Sequence, residues 1–385
     1  MTQIAQHNRM KIKPLPAVKC LLVLSWSLFF GFMFTGPASA SGVGIAGTPI
    51  NFGAVLDTVF MTPVDDTKES EFEVRAFELN IGAPVDPYFD LLVTLGWHEG
   101  EFELEEAWIS AILPYNIKVQ AGRELLPFGY LNRVHEHDFP QVDQPYVIEG
   151  LLTDHGLIGD GGHIEFLAPF LNPTLSLNVG IYDSIQHSVG RRIDGFPWVG
   201  RIQSFYQSPG GSHSLLTGAS YLNSVSDKDP MEGRSMSDPR ARGKVNYMAG
   251  IDIKYKWTPE GRTYRGLTLG GEYLYIDYDP YKEHDVYVPG LNVGHDKGFF
   301  AYAAWDFDRF WGIGYRYDNT DVLFSRLEDN AGIEAHSVYG EWRATEFSRL
   351  RLQYQYVDDE LAGEKDNLVM VQGTFFIGWH PPHRF

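Results

Sequence analysis

The sequence predicts an all-β protein: a transmembrane antiparallel up-and-down β-barrel of about sixteen strands, with short turns at one rim and long loops at the other. Three observations predict it. Segment after segment alternates an aliphatic or aromatic face with a polar one. The connectors between segments alternate long and short. The last segment, Asn367 to Trp379, repeats the same alternation close to the terminal Phe385.

Residues 1–40 read as a leader. Arg9, Lys11, Lys13 and Lys19 form a basic start, Cys20 to Phe34 is apolar, and Ala38-Ser39-Ala40 is a small-residue cleavage site. That order is a secretory signal peptide, with cleavage expected after Ala40. The apolar run is shorter than the ~20 residues a spanning helix needs. The single cysteine lies in this leader, so residues 41–385 hold no disulfide. The whole chain carries a net charge of −19, and loss of a basic leader leaves the remainder more acidic. Nucleic-acid binding is therefore excluded. No apolar run after the leader is long enough for a membrane helix.

Strand character recurs at 50–61, 71–82, 88–97, 101–112, 116–125, 157–168, 173–184 and 199–208. It continues at 213–224, 244–257, 264–277, 298–308, 310–321, 332–344, 348–357 and 367–379. Phe89, Leu91, Val93 and Leu95 share one face of the third segment. Leu177, Val179 and Ile181 oppose Ser176, Asn178 and Gly180 in the seventh. In the tenth, Val245, Tyr247, Ile251, Ile253 and Trp257 oppose Asn246, Asp252, Lys254 and Lys256. In the fifteenth, Leu350, Leu352 and Tyr354 oppose Arg349, Arg351, Gln353 and Gln355. In the last, Val369, Val371, Phe375 and Ile377 oppose Met370, Gln372 and Thr374. A wall with hydrocarbon on one side and water on the other satisfies both faces at once.

Three places resist the alternation. The phase slips between Val74 and Phe77 and again near Glu106, as bulges would cause. Leu274 and Ile276 fall on the water side, with no reason visible in the sequence.

After even segments the connectors are tight and rich in turn residues, as in Pro84 to Pro87 and Pro209-Gly-Gly211. After odd segments they are long, except 98–100, and the longest is 126–156. Aromatic residues near segment ends, namely Tyr88, Trp97, Trp108, Tyr255, Trp257, Trp305, Tyr317, Trp342 and Trp379, suggest girdles at the two membrane interfaces.

The stretch 71–145 resembles the phosphate-selective porin O/P type of bacterial outer-membrane protein. The matching pieces are Phe72-Glu-Val-Arg75, Phe77-Glu-Leu79, Glu105-Glu106-Ala107-Trp108-Ile109, the run Val119 to Gly129 with its Pro127-Phe128-Gly129 turn, and Asp143-Gln-Pro145. The resemblance implies a sixteen-stranded Gram-negative porin and a homotrimer. It does not transfer phosphate specificity, because no basic cluster can be matched position by position.

A barrel this wide leaves an aqueous channel. Passive diffusion of small hydrophilic solutes or ions is the expected function, with 126–156 folded inward as the constriction. That loop offers Arg133, Glu136, Asp138 and Asp143. The facing wall would offer Arg75, Lys118, Arg201, Lys254, Arg316, Glu341, Arg343 and Arg351. Opposed charges across a pore set ion preference. His135, His137 and His155 suggest a second reading, zinc binding or uptake, since imidazole and carboxylate suit that ion. A non-conducting adhesin or structural barrel is the third. No nucleophile elbow or His-Glu-x-x-His helix occurs, so no enzyme and no cofactor is expected. Expected partners are outer-membrane lipid and lipopolysaccharide, the transported solutes, and the assembly machinery that reads a final strand ending in Phe385.

Overall fold

The structure, a computed structural model, describes residues 43–45, 48–64, 69–98, 101–152, 156–186, 193, 196–223, 244–279, 282–283, 286–287, 294–321, 332–360 and 363–379. The leader 1–40, His155 and Phe385 lie outside the described residues.

Sixteen long strands follow one another. They are β1 Thr48–Pro63, β2 Glu71–Pro84, β3 Phe89–His98, β4 Glu101–Leu113, β5 Ile117–Leu125, β6 Ile158–Ala168, β7 Thr174–Gln186 and β8 Trp198–Gln207. Then come β9 His213–Asn223, β10 Lys244–Trp257, β11 Gly266–Asp279, β12 Gly294–Asp306, β13 Trp311–Thr320, β14 Ile333–Thr345, β15 Ser348–Asp359 and β16 Glu364–Gly378. Each pairs antiparallel with the next, and β16 pairs back onto β1 through Leu368↔Pro63 to Gly378↔Gly53. The sheet therefore closes, and no long strand keeps an unpaired edge. All sixteen segments read from the sequence are present as strands.

The alternation is real in three dimensions. Ile251 and Ile253 are exposed on the outer face while Asp252 between them is buried inside. Leu350, Leu352 and Tyr354 face out, and Arg351, Gln353 and Gln355 face in. At the tight turns, Asp86 Oδ1 accepts the amides of Tyr88 and Phe89, and Asp308 Oδ1 accepts those of Phe310 and Trp311.

Aromatic belts lie on the outer face at both rims. At the short-turn rim Trp257 meets Trp305, and Trp311 meets Trp342, each at 6.1 Å between ring centroids. At the long-loop rim Trp198, Tyr221, Tyr247, Tyr275 and His295 form a ladder across β8 to β12, with centroids 5.4–5.9 Å apart. Tyr247 and Trp257 mark the two belts on β10. Ten residues along a strand span about 34 Å, which a 35–45° tilt reduces to about 25 Å, the height of the apolar band of a membrane barrel. Two of the aromatics expected in these belts turn inward instead. Trp108 lies under Lys118 and donates to Glu106, and the Trp379 ring rests on the inner face of Gly82.

Bulges account for the phase slips. Arg75 is the extra residue of β2 opposite Asp57 and Thr58, and Glu105 is the extra residue of β4 opposite Thr94 and Leu95. A third bulge at Asn246 turns Val245 inward, where alternation alone had placed it with the outer face.

An arginine at the outer centre of β10 tests the assignment of faces. Ile251→Arg is expected to lose about 2–4 kcal/mol of folding stability in lipid. Urea titration of the vesicle-inserted barrel measures it, and a loss below about 1 kcal/mol would contradict a lipid-facing position.

Candidate functional site

The connection between β5 and β6, described over residues 126–152 and 156–157, folds into the lumen. Its turn begins at Pro127-Phe128-Gly129, and Gly129 has φ +62. The positive φ favours glycine, and a Cβ there would sit 1.8 Å from Glu272 Oε1 and displace that carboxylate. The turn is held by wall acceptors: Gly129 N donates to Ser220 Oγ at 3.0 Å, and Tyr130 N and Leu131 N donate to Glu272 Oε2 at 3.4 Å. Asn132 ties the two ends of the loop together. Its Nδ2 donates to Leu126 O and Leu157 O, and its Oδ1 accepts Leu157 N at 2.6 Å.

The loop then buries an apolar face. Leu126, Phe128, Leu131, Val147, Ile148, Leu151 and Leu152 are sealed from solvent, the last four in or beside helix α1, Tyr146–Leu151. They pack with Val199, Leu222, Val245, Met248, Leu274, Ile276 and Phe300 on the inner wall of β8 to β12. The inward Leu274 and Ile276 are thus the floor on which the loop rests. Full burial of each such side chain contributes roughly 1.5–3 kcal/mol, so the apolar contact is the main source of docking energy.

Charged groups fix the other side. Arg316 donates to Asp143 O and Asp143 Oδ2, both at 2.8 Å, and to Asp318 Oδ2 at 2.6 Å. Gln355 donates to Asp143 Oδ2 at 2.6 Å, and Gln353 donates to Asp143 Oδ1. Arg351 donates to Gln141 O at 2.9 Å and to Glu341 Oε2 at 2.6 Å. Arg75, set inward by its bulge, binds Asp57 and donates to Val142 O, while Arg349 donates to His137 O. Burial would raise the Asp143 pKa, but Arg316, Gln353 and Gln355 outweigh it and hold the carboxyl below its usual range.

The expected constriction residues therefore separate into groups. Asp143, Arg316, Arg351 and Arg75 join loop to wall, and Glu136 lies 3.8 Å from Arg75. Arg201 is buried against Asp252 at 2.6 Å, away from open water. Glu341 pairs with Arg351 and with Arg343, which also reaches Asp306 at 2.6 Å. Lys254 lies over the Tyr130 ring and Lys118 over Trp108. Arg133, Lys118, Glu106, Asp90, Trp108 and Trp379 line a cavity of about 340 Å³ under the loop.

Of the three histidines read as metal candidates, His135 and His137 are described, and both stand among carboxylates. His137 Nδ1 is 2.9 Å from Glu78 Oε1 and its Nε2 is 2.7 Å from Asp138 Oδ2. His135 Nδ1 lies 3.3 Å from Glu105 Oε2 and 3.6 Å from Glu78 Oε1, and its Nε2 lies 3.2 Å from Glu106 Oε1. Burial lowers both imidazole pKa values, but the surrounding carboxylates prevail: His135 is pushed well above its usual value and His137 up to about 10. Glu78 and Glu105 escaped the sequence reading as partners of these rings. The phase slip near Glu106 was their one trace.

A closed sixteen-stranded barrel with its longest loop folded inward is the architecture of outer-membrane porins. Solved outer-membrane proteins superpose on the whole fold. OmpT of Vibrio cholerae, folded in vitro, superposes with a TM-score of 0.57 at 10% identity, covering 88% of this chain and 100% of that one. The anion-selective porin of Comamonas acidovorans gives 0.57 at 11% identity over 86% of this chain and 100% of that one. The channel DcaP of Acinetobacter baumannii gives 0.55 at 12% identity over 88% and 100%. At such identities the likeness concerns the fold. In sequence the chain is 29% identical over 342 residues to an uncharacterized protein of Aquifex aeolicus, covering 82% of this chain and 70% of the relative. No family model matches, so the resemblance to phosphate-selective porins gains no support from that comparison.

Arg316→Met tests the loop anchor. It leaves Asp143 and Asp318 buried without their cation and is expected to weaken docking by about 3–5 kcal/mol. Hydrogen exchange at the Val142 and Tyr146 amides should accelerate, and unchanged protection would contradict the anchoring role. Asp143→Asn tests the pH dependence. A lowered folded-state pKa contributes stability that is full above the unfolded value of 3.8 and lost as pH falls through the folded value. The destabilisation by Asp143→Asn, read by the same amides, should be constant from neutral pH down to the unfolded value and shrink as pH falls from there through the folded value.

Proposed function

We propose that this chain is an outer-membrane porin, a passive channel for small hydrophilic solutes or ions, whose aperture is set by the 126–157 loop. One observation carries the reading: the longest connection of a closed barrel lies inside the lumen and is tied to the wall at its turn, its middle and its end. An adhesin would gain nothing from a loop held below the rim. The apolar outer band and its two aromatic belts support residence in the outer membrane. We assign no catalytic step.

Trimer formation remains part of the proposal, in keeping with the trimer form described for Vibrio cholerae OmpT. No phosphate preference is proposed. Arg201, Arg316 and Arg351 are each balanced by a carboxylate, so they do not form a ladder of positive sites. Charged groups of both signs line the cavity, among them Arg133, Lys118, Glu78, Asp90 and Glu106 together with His135, which points to weak ion preference.

Reconstitution in a planar bilayer tests this directly. Steady single-channel conductance is expected, with a reversal potential near zero in a KCl gradient. Deletion of 133–150 should raise the conductance at least two-fold. A silent wild-type barrel would favour a structural or adhesive role, and unchanged conductance in the deletion would remove the loop from the pore.

A further inference from the structure

We propose that Glu78, Glu105 and His135 form a binding site for one divalent first-row cation, of which Zn²⁺ is the best fit, between the barrel wall and the base of the inward loop. The site is distinct from the residues that join loop to wall, and it stands whether or not the channel conducts.

The geometry fits a tetrahedral ion. Zn²⁺ binds imidazole nitrogen and carboxylate oxygen at about 2.0–2.2 Å, which separates neighbouring ligand atoms by roughly 3.3–3.6 Å. His135 Nδ1 lies 3.3 Å from Glu105 Oε2 and 3.6 Å from Glu78 Oε1. One ligand atom from each of the three residues falls within 4.8 Å of the others. These spacings exceed the 2.7–2.9 Å typical of charge-assisted hydrogen bonds.

Space is present for the ion and its water. Glu78, Glu105 and His135 all line a cavity of about 30 Å³. A water molecule needs only about 10–15 Å³ on that measure. Glu78 and His135 also border the larger cavity of about 340 Å³, which provides an entry path from the lumen.

The surroundings orient the ligands. His135 Nε2 faces Glu106 Oε1 at 3.2 Å, the carboxylate–histidine arrangement that fixes the tautomer and leaves Nδ1 for a metal. His137 Nδ1, 2.9 Å from Glu78 Oε1, positions the second carboxylate. The bulge in β4 is what makes this possible. Adjacent strand residues ordinarily point to opposite faces, yet Glu105 and Glu106 both reach His135. Binding forms an Nδ1–metal bond, and the Nδ1 proton leaves to water.

Isothermal titration of the full-length, detergent-folded protein with ZnCl₂ tests the proposal. One Zn²⁺ per chain is expected. Glu105→Gln and His135→Asn should each weaken binding at least ten-fold, and Glu106→Gln should weaken it about ten-fold through orientation alone. The double variant His380→Asn, His383→Asn should bind as the wild type does. Absence of binding, equal affinity in Glu105→Gln and His135→Asn, or loss with the tail variant would each overturn the site. Should a site variant fail to fold, Co²⁺ added to the wild-type protein decides: an intense visible ligand-field spectrum supports the tetrahedral site, and a weak octahedral one sinks it.

Discussion

Sixteen strands enclose more space than their own inward side chains can fill. This excess volume governs the inner surface of the molecule. The outer face answers to lipid and is predominantly apolar between its two aromatic belts. The inner face must answer to water in some places and to a folded loop in others, so it cannot be uniform. On β8 to β12 it is aliphatic, where α1 and the Phe128 turn lie against it. On β13 to β16 and β1 to β2 it is a field of Arg, Gln and Asp, where the loop presents backbone carbonyls and Asp143.

The two halves of this inner wall contribute different things. Apolar burial is non-directional and supplies energy without fixing register. The buried ion pairs contribute less to stability than their short distances suggest, because each charge has been taken from water. What they supply is position. Arg316 must meet Asp143 and Asp318 together, and Gln353 must receive Val142 N while donating to Asp143. A loop shifted by one residue along the wall would strand several of these groups at once, at about 1–3 kcal/mol or more for each. The aliphatic side holds the loop down, and the polar side fixes where it lies.

The strands were legible because lipid and water impose opposite demands on neighbouring residues, and a period of two records this directly. The same logic explains what was not legible. Leu274 and Ile276 broke the pattern because their partners, Ile148 and Leu151 among them, lie more than a hundred positions earlier, and no local periodicity reports such a contact. Trp108 and Trp379 were grouped with the belts because strand ends carry aromatics on both faces; only coordinates separate Trp342, outside, from Trp108, under Lys118. The wall cations were visible as residues, but their partners were not, so charges that looked available for solute prove to be engaged with the loop. Val245 shows the limit of counting by twos: one extra residue, Asn246, carries it through the wall.

The bulges at Arg75 and Glu105 flank β3 on either side, close to where the loop brings its histidines. Each costs a regular ladder position and adds local twist, and neither turns a connection or ends a strand. What each does gain is an extra ionisable group on the inner face: Arg75 for Asp57 and the Val142 carbonyl, Glu105 for His135. The two bulges also reset the phase of their strands, so that Phe72 and Val74 face outward together with Phe77, and Leu104 together with Ile109. They concentrate opposite charges within a short arc of wall, and the loop is shaped to meet both. Here the barrel's regularity gives way where a cation and a carboxylate stand side by side, while the irregularities at Asn246, between Tyr182 and Ser184 and between Arg343 and Thr345 lie elsewhere on the cylinder.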